Sequence, residues 1–205
     1  MKKNNLILTI VLLTVILFST SGYAQTVTIG KQVWTTKNLN VSTYRNGDEI
    51  PQVQDENAWK NLTTGAWCYY NNDASNGTKY GKLYNWYAVN DPRGLAPKGY
   101  HIPTDAEWTK LSDYLGGESE AGTKMKSTSG WSNNGNGTNS SRFSGLPGGY
   151  RYDTFSLVSF GGYWWSSTES STASAWSRVL NYFNSSINGT YGYKVYGFSV
   201  RCVRD

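Results

Sequence analysis

Two cysteines, one histidine and a few scattered carboxylates are the side chains of this 205-residue sequence that could carry chemistry. Cys68 and Cys202 lie far apart, and neither belongs to a Cys-x-x-Cys motif, which excludes dithiol redox catalysis of that kind. They read either as a disulfide closing a long loop, worth roughly 4–5 kcal/mol in the chain-entropy account, or as two buried free thiols. His101 stands alone, so a histidine-rich metal site is excluded, and no partner for a nucleophile–base pair is evident. Glycoside hydrolysis needs two acids flanking a cleft. Asp105 and Glu107 are accounted for by helix capping, which leaves Asp153 and Glu169 as the remaining pair. The loop Asn133–Asn139 offers amide and carbonyl oxygens but no carboxylate, a poor donor set for calcium. The Gly-Gly pairs at 116–117, 148–149 and 161–162 do not fit a phosphate-binding loop. The expectation is no catalytic residue, no metal and no cofactor.

The remaining chemistry is recognition. Residues 163–196 are rich in Trp, Tyr, Ser and Asn. Rigid amphipathic rings beside small adaptable polar groups are the chemistry of an antibody paratope. The ligand-binding candidates are Trp164, Trp165, Trp176, Tyr182, Asn184, Tyr191 and Tyr193. Trp164 and Trp165 are adjacent on an expected strand, so one should face the core and the other solvent. The alternative is an aromatic-rich sheet that binds nothing.

These residues need a scaffold, and the best-specified element is a helix over 105–115. Thr104 is its N-cap and Glu107 completes a capping box. Pro103 can pack on Trp108 as a hydrophobic staple. Trp108, Leu111 and Leu115 make an apolar stripe, and Gly116-Gly117 stops the helix. Upstream, Val27–Ile29 and Gln32–Trp34 alternate around Gly30-Lys31 and predict a β-hairpin. Ala66–Tyr70 reads as a short buried strand, Asn71–Lys79 as a loop, and Leu83–Val89 as a second helix. A short helix at Glu56–Trp59 is a weaker pattern. Little helix is expected beyond Gly116, with a short strand at Lys124–Lys126. Strands are expected at Tyr163–Ser167, Ala175–Leu180, Tyr191–Tyr196 and Gly197–Val203.

Residues 1–24 have the layout of a cleavable signal peptide. Lys2 and Lys3 are followed by an apolar run, Leu6–Phe18, too short to span a bilayer comfortably, and then by small residues up to Ala24. The expectation is a secreted or cell-surface protein with one domain over 25–205 and no membrane span after cleavage. The formal charge of +5 is mild, and the Lys and Arg residues form no run of the kind nucleic-acid binding needs. Nine Trp and sixteen Tyr suit an aromatic core, and equally suit stacking on sugars.

Several motifs occur in register. They are Ile29-Gly30-Lys31-Gln32-Val33-Trp34 with Asn38-Leu39; Trp67-Cys68-Tyr69-Tyr70-Asn71-Asn72-Asp73; Lys79-Tyr80-Gly81-Lys82-Leu83-Tyr84-Asn85-Trp86; His101-Ile102-Pro103-Thr104-Asp105-Ala106-Glu107-Trp108; Leu146-Pro147-Gly148-Gly149-Tyr150-Arg151; Tyr163-Trp164-Trp165-Ser166-Ser167-Thr168-Glu169; and the terminal Gly197–Asp205. Together they resemble the Fibrobacter succinogenes major paralogous domain across almost the whole chain after residue 24. That family is similar to C-type lectin-like domains of the formylglycine-generating, sulfatase-modifying type. The resemblance implies an α+β fold with two helices on small irregular antiparallel sheets and paired terminal strands, in which Cys202 could reach Cys68.

The sulfatase-modifying enzymes use two nearby cysteines late in the domain to bind copper, and this chain has only Cys202 there. The Glu-Pro-Asn, Gln-Pro-Asp and Trp-Asn-Asp motifs of calcium-dependent lectins are absent. The expected function is therefore a non-enzymatic binding or adhesion module presenting residues 163–196 to a glycan or a surface protein. A structural surface or appendage component without a ligand, and a hypervariable binder diversified in its late segment, are the alternatives.

Overall fold

The computed structural model describes residues 25–205, and the expected signal peptide lies outside the described residues. The chain is mixed helix and sheet. Strands β1 (Thr26–Ile29) and β2 (Gln32–Thr35) form the expected hairpin. Gly30 turns it at φ +61°, and a Cβ there would press within 3.0 Å of the Tyr114 ring. The last strand, β11 (Val203–Arg204), pairs with β2 through Val203 and Trp34 and with β5 (Tyr100–His101) on its other side. The two ends of the described chain therefore share one four-stranded sheet, ordered β1-β2-β11-β5. A two-stranded ribbon joins β3 (Trp67–Cys68) to β4 (Leu83–Tyr84).

The second large sheet has the order β10-β9-β8-β6-β7, from β6 (Gly148–Arg151), β7 (Phe155–Val158), β8 (Gly161–Glu169), β9 (Ser174–Asn181) and β10 (Ile187–Tyr193). Its ladders are antiparallel except for a parallel bridge between Gly149 and Gly162.

Among the described residues five α-helices accompany the sheets, where the resemblance implies two: α1 (Glu56–Lys60), α2 (Ala74–Tyr80), α3 (Trp86–Val89), α4 (Asp105–Tyr114) and α5 (Glu118–Met125). Helix α4 carries the full capping box, with Thr104 and Glu107 reciprocally bonded. Several local expectations are corrected. The strand expected at Tyr191–Tyr196 is β10, which runs from Ile187 and ends at Tyr193, and of the expected strand Gly197–Val203 only Val203 lies in a strand, β11. The stretch 83–89 is not one helix: Leu83 and Tyr84 join β4, and buried Asn85 caps a single turn, its Oδ1 accepting from the N–H groups of Ala66 and Ala88. The expected loop 71–79 contains α2, which Asp73 caps through the Ser75 N–H. The expected strand at Lys124–Lys126 overlaps α5, and there is substantial helix after Gly116. Ala121 and Met125 are one turn apart on its buried face, and Gly122 lets that face approach the Ser185–Ser186 backbone, where a Cβ would fall 2.3 Å from the Ser186 carbonyl oxygen.

Of the two readings of the cysteines, the structure has the second. Both thiols are free and buried, and they fill different parts of the core. Cys68 packs with Trp59, Tyr70 and Leu83, and Cys202 with Trp67, Trp86 and Phe198. Burial pushes the Cys68 thiol up to about 11 and that of Cys202 to about 12, so neither is a ready nucleophile.

Buried arginines fasten the loops. Arg201 is fully buried and donates to Asn38 Oδ1 (2.7 Å) and to the carbonyls of Thr35 (2.7 Å), Phe143 (2.8 Å) and Ser144 (3.1 Å), with its guanidinium 4.4 Å from the Phe143 ring centre. Asn38 Oδ1 also accepts from Trp164 Nε1 at 2.9 Å. Removing Arg201 leaves several acceptors dry and unpaired. Arg201→Met should lower stability by at least about 3 kcal/mol in urea unfolding, and Arg201→Lys should restore little of it, because one ammonium cannot reach acceptors splayed around a planar fork.

His101 ties the same sheet to α4. Its Nδ1 lies 2.9 Å from Asp205 Oδ1 and its Nε2 2.8 Å from Glu107 Oε1. A neutral imidazole donates from only one nitrogen, so holding both carboxylates favours the imidazolium. Burial opposes the charge, but the bonds to Asp205 and Glu107 outweigh it and raise the pKa above the usual histidine value. The stabilisation is complete below the unfolded histidine pKa and disappears as pH rises through the higher folded value. Thermal unfolding should fall by about 1–2 °C between pH 6 and pH 8.5, the size of a partly exposed ion pair, and His101→Gln should flatten that step.

Candidate functional site

Strands β8 and β9 have no solvent-facing side over most of their length. Trp164 opposes Arg178 and Trp165 opposes Ser177, so the two tryptophans point to opposite faces. Helices α4 and α5 cover the first face, where Trp164 packs with Trp34, Trp108 and Phe143. The second face is covered by α3 and the segment around Phe198, where Trp165 stacks on Phe198 at 4.3 Å and donates Nε1 to the Tyr84 carbonyl. Both tryptophans are completely buried. The expectation that one of them faces solvent is corrected, and neither can touch a ligand.

The other candidates separate along the β9–β10 hairpin. Tyr182 and Asn184 lie in its turn, Tyr182 edge-on to Phe160 and Asn184 bonded through its carbonyl to Lys126 Nζ. Trp176 and Tyr191 are cross-strand partners farther along, half-buried and exposed respectively. Tyr193 stands at the far end, roughly 20 Å from the turn at the usual strand rise. The candidates therefore do not form one surface.

At the far end there is a concave site. A shallow cleft of about 460 Å³ is lined by Tyr87, Tyr152 and Tyr193, with Lys60, Asn61 and Lys194 among its polar groups. Its rings are anchored. Tyr193 contacts Tyr196 (5.5 Å between ring centres), which contacts Tyr152 (4.8 Å) and Tyr150 (6.0 Å). Tyr150 and Tyr196 both lean on Phe198 in the core. Burial, then the neighbouring Tyr150, raises the Tyr196 hydroxyl above its ordinary pKa, so that phenol stays a neutral donor and acceptor. Lys194 forms one wall, close to Trp86 and paired with Glu169.

Sequence reasoning missed Tyr87, Tyr152 and Tyr196. A signal was present in Tyr150-Arg151-Tyr152, where alternation puts both tyrosines on one side. Reading it required placing the arginine inside. Arg151 is buried, donates to the carbonyls of Val53, Gln54 and Asp55, and lies over Trp59 and Phe155.

The acids have structural partners. Asp105 pairs with buried Arg178, Glu169 with Lys194, and Asp153 accepts from the Thr154 N–H. Among the described residues, no group of three or more His, Cys, Asp or Glu side chains could hold a metal ion, and no helix is long and apolar enough to cross a membrane. The Asn-rich loop uses its amides locally: Asn136 accepts from the Trp131 N–H, and Asn139 bonds to Ser144.

No curated protein and no solved structure matches this chain. The sequence does match the family described as the Fibrobacter succinogenes major domain over residues 27–204, from within β1 to the end of β11. With that match covering nearly all of the described fold, the chain belongs to the Fibrobacter succinogenes major domain family.

Proposed function

We propose that this protein is an exported, non-enzymatic binding module of C-type lectin-like plan, which presents an aromatic surface to a glycan or a surface protein outside the cell. The observation that carries this reading is the cleft lined by Tyr87, Tyr152 and Tyr193, in which the Tyr152 and Tyr193 rings are braced by Tyr196, itself backed by Tyr150. The apolar face of a sugar packs on such rings, while the phenols and the Asn61 amide bond its hydroxyls. Bracing limits the rotamer entropy lost on binding. The lectin-like plan rests on the resemblance and accords with terminal strands that share one sheet. Export rests on the leader-like residues 1–24.

The test is binding to a broad glycan and surface-protein array, followed by titration of the best ligand. Tyr152→Ala and Tyr193→Ala should each weaken binding by about 5- to 30-fold, the range of a contact worth about 1–2 kcal/mol, with melting temperatures close to the parent. Tyr182→Ala, at the other end of the hairpin, should leave affinity unchanged. Silence of the folded protein on the array, or equal losses from all three variants, would overturn the assignment of the cleft.

A further inference from the structure

The outer edge of β1 is unpaired and lies in a basic cleft on a different part of the molecule from the tyrosines. The Thr36 N–H donates to the Gln25 carbonyl, and antiparallel ladders alternate between bonded and non-bonded pairs. With the register Thr26 to Thr35 and Thr28 to Val33, Thr26 and Thr28 occupy the non-bonded positions. Their N–H and C=O groups therefore point away from β2. The Thr35 N–H agrees, since it turns to the Cys202 carbonyl on the opposite side. Thr26 and Thr28 are exposed, and among the described residues their outward backbone groups have no partner.

This edge opens into a cleft of about 660 Å³, walled by Tyr114 and Leu115 on one side and Ser140–Arg142 on the other. The cleft shares Thr36 with a neighbour of about 540 Å³, and Ile29 and Tyr114 with one of about 410 Å³. The continuous strip carries Lys37 and Lys79 at one end, Arg142 in the middle, and Lys31 and Lys110 at the other, with no Asp or Glu lining any part of it. All five cations are exposed, and none is ion-paired among the described residues. Arg142 is held out by a built turn: it sits at φ +59°, its N–H donates to the Asn139 carbonyl, and Asn139 clasps Ser144 through two side-chain hydrogen bonds.

We propose that this strip docks an acidic, extended polypeptide segment, which adds to β1 as a further strand. Its main chain would pair with Thr26 and Thr28, and carboxylates near its two ends would meet the lysines flanking the roughly 13 Å of Gln25–Ile29. An unprotected edge strand is normally a liability, and here its exposed groups and the surrounding charge favour the same occupant. A polyanion with no peptide backbone would use the charges but not the aligned N–H and C=O groups, so the two kinds of partner are separable.

The experiment is fluorescence anisotropy of the protein with a labelled peptide, Asp-Glu-Val-Thr-Val-Thr-Glu-Asp. The comparators are the same peptide with proline for the first central threonine, a version with lysines at both ends, and unlabelled heparin as competitor. The acidic peptide should bind at least about tenfold more tightly than either altered peptide. Thr28→Pro removes only an outward N–H, a change edge strands accept, and should weaken the acidic peptide at least about tenfold with the melting temperature retained. The double variant Lys37→Glu/Lys79→Glu should weaken it as well and reduce its salt dependence. If Thr28→Pro does not fold, the contrast between the acidic and proline peptides still decides. Equal binding of those two peptides, full competition by heparin with no effect of Thr28→Pro, or no binding of the acidic peptide would overturn strand addition.

Discussion

A cation buried without a carboxylate is the constraint on which the rest of this fold depends. Arg201 is surrounded by neutral acceptors from two separate stretches of chain, Thr35–Asn38 and Phe143–Ser144. Burial lowers its pKa to about 9, which still leaves it charged at neutral pH. Such a group is tolerable in the interior only if its N–H bonds are satisfied, so the end of β2, the Asn38 amide and the Phe143–Ser144 loop must all take their places around it. Arg151 does similar work against residues 53–55. A chain this rich in irregular segments has many buried carbonyls with no ladder to join, and a planar fork with five donors meets several at once.

The second organising fact is that the large sheet is covered on both faces around Trp164 and Trp165. That arrangement decides which aromatics are free to meet a ligand. Rings at the centre of β8 become core whichever way they point, while rings beyond the cover, Tyr193 at the end of β10 and Tyr152 just after β6, reach solvent and both contact Tyr196. The cleft is thus a by-product of where the helices stop. Its tyrosines are continuous with the core through Phe198, which gives a surface site the rigidity of the interior.

Elements with local chemistry were legible in the sequence. The capping box at Thr104, the Gly30 turn and the strands at Tyr163–Ser167 and Ala175–Leu180 each depend on residues close together in the chain, and the structure has all of them. The pairing of the terminal strands came through the family resemblance. Helix α5 was hidden because its cap is a glycine and its buried face leans on small residues, Ala121 and Gly122, that carry little apolar signal. The candidate site was half legible. Tyr193 was found from composition, but Tyr87 and Tyr152 come from distant segments, and only the inward turn of Arg151 sets Tyr152 beside Tyr193. The two buried tryptophans were misplaced for the converse reason: a one-sided sheet would expose one of them, and nothing local to Trp164-Trp165 announces a second covering layer.

The span of the Arg201 bonds has a kinetic consequence. Its contacts with Asn38 and Thr35 join residues 163 and 166 positions apart. Closure of the interior therefore waits for nearly all of the described fold, and a molecule lacking the segment around Arg201 has every strand of the large sheet but not the group that locks the first hairpin onto it. Folds dominated by such long-range closure form slowly and late. For a polypeptide made from its N-terminus, the interior of this domain closes only once the segment that carries Arg201 has emerged, and every earlier segment waits for it.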